Sequence, residues 1–137
     1  METLLSLTSD WKTLADEAAA AALRAYAPYS GFRVGAAVDA AGTCVPGTNI
    51  ENATFGATVC AERIALGAAR ALGYLPVTRL ALSFPDAPSN AAITTLVPCG
   101  ICRQWLVELA PNCRILVAGP NIAFDVSEIF PYPFKLA

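Results

Sequence analysis

Cys60 and Glu62 stand two residues apart in TVCAERIALGAARALG, at the head of a run with helical periodicity. Cys99 and Cys102 stand three apart in PCGICRQ, at the head of another. The chain contains no histidine, so the commonest side chain for proton transfer near neutral pH and the commonest nitrogen ligand for metals are both missing. Chemistry must therefore fall to cysteine, carboxylate, arginine or tyrosine. Cysteines at this helical spacing share one face, so both sulfurs can reach one tetrahedral ion. Taken alone, the pair is equally a redox dithiol or two metal ligands. Cys60, from a separate helix start, tips the balance to metal. Three thiolates are one short of a closed structural zinc site, and three protein ligands with one open position are what catalysis requires. The remaining cysteines, Cys44 and Cys113, are expected to be small buried or half-buried apolar residues rather than a fourth ligand.

Zinc held by three thiolates carries a net negative charge that something must offset. Two helix N-termini aimed at the sulfurs, each with roughly half a positive charge, can do so, and Arg63 and Arg103 lie in the same first turns. Glu62 has two readings. Beside a helix N-terminus a carboxylate is a favourable dipole partner and nothing more. Two residues from a metal-binding cysteine it can take a proton from water and deliver it to a substrate.

The elements that must position these groups read as an α/β pattern. Thr8 or Ser9 can cap a helix through DWKTLADEAAAAALRAY, with Trp11, Leu14, Ala18, Ala22 and Tyr26 on one apolar face and Pro28 as its stop. Two apolar runs, 33–39 and 43–49, flank Ala41-Gly42 as a β-hairpin, and Pro46 assigns the second run to an edge or a bulge. A helix from about Cys60 to Leu72 ends at Gly73. TRLALSF, 78–84, is apolar enough to lie inside a sheet. The segment from Pro85 to Leu96 reads as loop, a helix covers about 100–109, RILVAG is a strand, and a short strand and turn of helix occupy 122–130. Helices should pack over one mixed sheet.

At 137 residues the chain is expected to be a single domain, 1–137. It is 55% hydrophobic and only 15% charged, more apolar surface than so short a chain easily hides, which points to a homo-oligomer. No segment approaches a membrane span and the N-terminus lacks the pattern of a signal peptide, so no membrane partner is expected and the protein is most simply cytoplasmic, its cysteines reduced. Nine basic against eleven acidic residues, net −2, with the arginines scattered, show no basic stripe, so nucleic acid is not an expected partner.

CAER followed by PCGICRQ resembles the signature of the cytidine deaminases, and the resemblance extends to YAPYSGFRVGAA and NIENATFG, running from about Tyr26 to Gln104. It implies a cytidine deaminase-like three-layer fold, one five-stranded mixed sheet covered by helices. It further implies zinc-dependent hydrolytic deamination of cytidine and deoxycytidine to uridine and deoxyuridine in pyrimidine salvage. The alternative within the superfamily is deamination of a modified cytosine nucleoside of the blasticidin S type. By the same resemblance Cys60, Cys99 and Cys102 hold one zinc per subunit and Glu62 shuttles the proton. Phe32 flanks the pyrimidine, Asn49 and Glu51 hold the ribose hydroxyls, Ala61 contacts the base edge through its amide, and Arg63 hydrogen-bonds a metal-bound sulfur. Phe134 and Phe55 close the pocket from neighbouring subunits of a homotetramer with shared active sites. Gly31, Phe55, Val97 and Ile101 differ from the residues common at their places in the family, which bears on substrate preference and not on the reaction.

Overall fold

Alternation along four strands sorts the side chains to two faces of one sheet. The computed structural model describes residues 1–137. Its elements are β1 (Glu2–Thr3), α1 (Ser9–Ala22), β2 (Gly35–Ala40), β3 (Thr43–Thr48), α2 (Ala61–Leu72), β4 (Val77–Ser83), α3 (Gly100–Leu109), β5 (Arg114–Val117), β6 (Ile122–Asp125) and α4 (Val126–Ile129). The six strands lie in the order β1-β6-β5-β4-β2-β3, with β4 and β5 parallel and every other neighbouring pair antiparallel. Ala37, Ala81, Leu116 and Ala123 turn to one face, where α1 covers them with Trp11, Leu14, Ala15 and Ala18. Ala36, Val38, Leu80, Leu82, Ile115 and Val117 turn to the other, under Ala61, Ala65, Leu66 and Ala69 of α2 and Leu106 of α3. The result is helix, sheet, helix: the three layers expected.

Two glycines set how closely the helices approach. A Cβ at Gly35 of β2 would lie 1.9 Å from the Ala18 carbonyl oxygen, and one at Gly47 of β3 would lie 2.3 Å from that of Ala61. Gly47 thus seats the first residue of α2 directly on the sheet. At the other end of α2, Gly73 adopts φ +79° and its N–H caps the carbonyls of Ala69 and Arg70.

Two boundaries differ from expectation. The sheet has six strands because residues Glu2 and Thr3 pair with Ala123 and Ile122 of β6; a strand of two residues is too short to carry an alternating pattern. Helix α1 stops at Ala22, so Tyr26 lies outside it. The backbone of Tyr26 is drawn into a bridge instead, its N–H donating to Asn49 O at 3.1 Å and its carbonyl accepting from Glu51 N at 2.8 Å. Pro46 does lie on an edge strand, β3, where a missing N–H breaks no ladder. No helix is long and apolar enough to cross a membrane.

Candidate metal centre and active site

Cys60 and Cys99 are the N-cap residues of α2 and α3, both in extended conformation, and neither side chain bonds its own helix backbone. Their sulfurs are therefore free for each other, 3.7 Å apart. With buried Cys102, in the first turn of α3, the three sulfurs all lie within 4.8 Å of one another. Zinc with bonds of about 2.3 Å to tetrahedral sulfurs needs them about 3.8 Å apart. The donor set and its spacing fit that ion, and no fourth cysteine, histidine or carboxylate belongs to the cluster.

Electrostatics agree with a cation site. Hydrogen bonding from Cys102, and then from Arg63 and Cys99, holds the Cys60 thiol well below the ordinary thiol range against the effect of burial. Its proximity to Cys60 and its own burial push Cys102 up, because adjacent sulfurs cannot all ionise without a compensating positive charge. Arg63 supplies part of that charge: its Nη2 donates to Cys60 Sγ at 3.8 Å and to Thr58 O at 3.2 Å. Its Nε is buried without a partner, a donor that anionic sulfurs would satisfy. Arg103 does otherwise. Its Nε donates to Pro98 O and its Nη1 to Ile129 O, each at 2.8 Å, so it makes no hydrogen bond to a sulfur and any offset of the metal's charge would act through space. It fastens the cysteine-bearing turn to the end of α4.

Glu62, the second residue of α2, is 5% exposed, and burial, reinforced by the nearby Cys60 charge, pushes its carboxyl up to about 7. It lines a cavity of 270 Å³ together with Cys60, Cys99, Ala61, Ser30, Phe32, Asn49 and Glu51. Ala61, fully buried, opens the helix and so offers an amide with no intrahelical acceptor.

Asn49 and Glu51 reach the cavity already employed. Asn49 Oδ1 accepts from Val34 N at 2.8 Å and its Nδ2 donates to Phe32 O at 2.9 Å. Glu51 Oε1 accepts from the amides of Tyr29 and Ser30 at 2.9 and 3.0 Å, and its Oε2 accepts from the Ser30 hydroxyl. These bonds hold its carboxyl below the ordinary range, the Ser30 hydroxyl contributing most. The same hydroxyl accepts from Phe32 N at 3.0 Å. Two polar side chains thus fix the segment that presents Phe32, yet each keeps capacity for another bond: one N–H of the amide and a lone pair of the carboxylate.

Phe55 and Phe134, 73% and 69% exposed, do not line this cavity. Phe55 meets Tyr29 edge-on at 5.7 Å, while Phe134 is tied by its carbonyl to Gln104 Nε2 at 3.0 Å. Cys113 is buried as expected, its thiol pushed up to about 12 by that burial. Cys44 is exposed, contrary to expectation, because β3 is an edge strand. Sequence reasoning missed Ser30, Val34, Thr58, Phe84 and Thr95 as cavity residues. Ser30 lay inside a recognised segment, but only its contact with Glu51, twenty-one residues on, gives it a duty.

Residues 8–118 match the family described as the cytidine and deoxycytidylate deaminase zinc-binding region. The chain is 44% identical to a cytidine deaminase of Mycobacterium tuberculosis over 129 residues, 93% of this chain and 91% of that one. It is 40% identical to a cytidine deaminase of Halalkalibacterium halodurans over 121 residues, 88% and 86% respectively. A crystal structure of cytidine deaminase from Burkholderia pseudomallei superposes with a TM-score of 0.80 at 35% identity, over 93% of this chain and all of that one. A three-layer fold with a three-sulfur metal centre is thereby joined to sequence, and the chain belongs to the zinc-binding cytidine and deoxycytidylate deaminase family.

Proposed function

We propose that the protein hydrolyses cytidine and deoxycytidine to uridine, or deoxyuridine, and ammonia. The observation that carries this reading is the buried carboxyl of Glu62 beside the Cys60–Cys99–Cys102 cluster, in a cavity that Asn49 and Glu51 also line. Cys60, Cys99 and Cys102 hold the zinc, which when bound supplies the Lewis acidity that makes water a nucleophile near neutral pH. Glu62 takes a proton from the attacking water and gives it to ring nitrogen 3 as the new bond to carbon 4 forms. It then carries the proton of the new carbon 4 hydroxyl to the exocyclic nitrogen, so that the carbon 4 carbonyl forms as the carbon 4–nitrogen bond breaks with ammonia as leaving group. A carboxyl poised near neutrality can both accept and release a proton, which these steps require.

Phe32 flanks the base, the Ala61 amide meets its edge, and the spare bonding capacity of Asn49 and Glu51 takes the sugar hydroxyls. A carboxylate suited to accept from those hydroxyls favours ordinary nucleosides over the blasticidin S type. Arg63 steadies the ionised Cys60. The subunits assemble as a homotetramer in which exposed Phe55 and Phe134 close neighbouring cavities; exposed Ile101 and Trp105 on α3 offer further apolar surface for such contacts. The unpaired thiols suit a reducing compartment such as the cytoplasm.

Ultraviolet assay of cytidine, paired with metal analysis of the same sample, tests the reading. Loss of cytidine matched by equal uridine and ammonia, with one zinc per chain, is expected. A zinc-loaded protein that turns over neither cytidine nor deoxycytidine would overturn it.

A further inference from the structure

A second cavity, of 360 Å³, opens beside the carboxyl ends of the parallel strands β4 and β5. Crevices at that end of parallel strands are where open α/β sheets accept ligands. Its walls include Ala87, Ala91, Leu96, Ala118 and Pro120, and no charged side chain lines it. It shares one residue with the catalytic cavity: Phe84, which directly follows β4. The remainder of the divide is the segment 95–97. Thr95 and Val97 line the catalytic cavity whereas Leu96 between them lines the second. Phe84 is half-buried against the main core, its ring centroid 6.1 Å from that of Phe32. One aromatic residue therefore stands between the space that faces Glu62 and an uncharged space of comparable size.

We propose that Phe84 is a specificity-determining residue, its ring the partition that closes the base pocket and limits the substituents a cytosine can carry on the edge away from Glu62. The identity of the ligand rests on the functional reading above; the partition rests on the shared wall. Glu62 and the cysteines claim the edge that bears the amino group, and Ser30, Asn49 and Glu51 claim the polar end. Apolar additions to the base are left to meet the apolar wall of Val34, Phe84 and Val97. A single methylene too many or too few in such a pocket changes selectivity by roughly 10–200-fold. Removing a whole ring, with open uncharged volume behind it, should exceed the low end of that range.

The test compares the zinc-loaded wild type with Phe84→Ala and Phe84→Leu, using cytidine, 5-methylcytidine, 5-iodocytidine and 5-phenylcytidine as substrates. In parallel, calorimetry measures the affinities of uridine and 5-phenyluridine, which need no chemistry. In Phe84→Ala, kcat/KM for 5-phenylcytidine relative to cytidine should rise about tenfold or more, with Phe84→Leu intermediate, and the affinity ratio should move the same way. Adding Ala91→Leu, which narrows the second cavity, should reverse much of the gain in Phe84→Ala and leave the wild-type ratio unmoved. A ratio that stays within about twofold of wild type in zinc-loaded Phe84 variants would overturn the proposal. So would a gain that Ala91→Leu does not reverse. Should Phe84→Ala not fold, the Phe84→Leu rise and its reversal decide alone. If the wild type binds uridine but deaminates no cytidine, the functional reading fails while the affinity ratios still judge the partition.

Discussion

Helices α2 and α3 begin alike, each with a cysteine as N-cap and an arginine in its first turn, yet their first turns serve different ends. At α2 the arginine turns back to the cap sulfur and a buried glutamate faces the cavity. At α3 Arg103 and Gln104 reach away, to the carbonyls of Ile129 and Phe134, and so anchor the last helix and the C-terminal segment. The sulfurs are shared between the two starts, whereas the proton transfer proposed for Glu62 would belong to one and tethering belongs to the other. The same local recipe acquires different roles because long cationic side chains go where tertiary structure leaves acceptors. Thr58 O and Cys60 Sγ stand beside Arg63, and two backbone carbonyls stand beside Arg103.

What the two starts share should be the most damaging to remove. Cys60→Ala, Cys99→Ala and Cys102→Ala should each lose zinc and all measurable turnover, while Cys44→Ala and Cys113→Ala keep one zinc per chain by metal analysis. Zinc loss in either of the latter would give the centre a fourth sulfur and break the symmetry of the two starts. Next comes Gly47→Ala, which acts on α2 alone. The added Cβ meets the Ala61 carbonyl oxygen 2.3 Å away, so the first turn must lift from the sheet. A loss of about 1–3 kcal/mol in denaturant unfolding, with weakened zinc retention, is expected.

The arginines separate the duties. Arg63→Ala should lower zinc affinity or kcat by about 10–100-fold, the usual consequence of removing a partner of a metal ligand. Arg103→Ala should cost about 1–3 kcal/mol of stability, from the two stranded carbonyls, with kcat within a few-fold of wild type. Equal effects on turnover would erase the contrast. Smaller still are changes at the tether. Deleting residues 132–137 should raise KM roughly tenfold with zinc content intact, since Phe134, if it closes a neighbouring subunit's cavity as proposed, would contribute about 1.5 kcal/mol. Gln104→Ala, which removes one neutral hydrogen bond to that segment, should raise KM only about two- to fivefold.

The cluster itself was legible because its information is local. Cys99 and Cys102 lie one turn apart on one helix, Cys60 and Glu62 share another helix's first turn, and the strands announce their faces by alternation, as Leu80, Ala81 and Leu82 do. What escaped depends on partners distant in sequence. Arg103 points away from the sulfurs because the Ile129 carbonyl, 26 residues later, is there to accept. Helix α1 ends early because Tyr26 is claimed by Asn49 and Glu51. β1 has too few residues to show a period, and Phe84 reads as the last apolar residue of a buried strand until two cavities are found on either side of it.

The central claim is that Glu62 carries the protons, and Glu62→Gln tests it with almost no change of volume. Initial rates of cytidine loss are measured on wild type and variant at equal zinc occupancy. The account predicts unchanged zinc and a fall in kcat of at least about 10²–10⁴-fold, because a carboxamide cannot shuttle a proton. Turnover within a few-fold of wild type, at one zinc per chain, would contradict it.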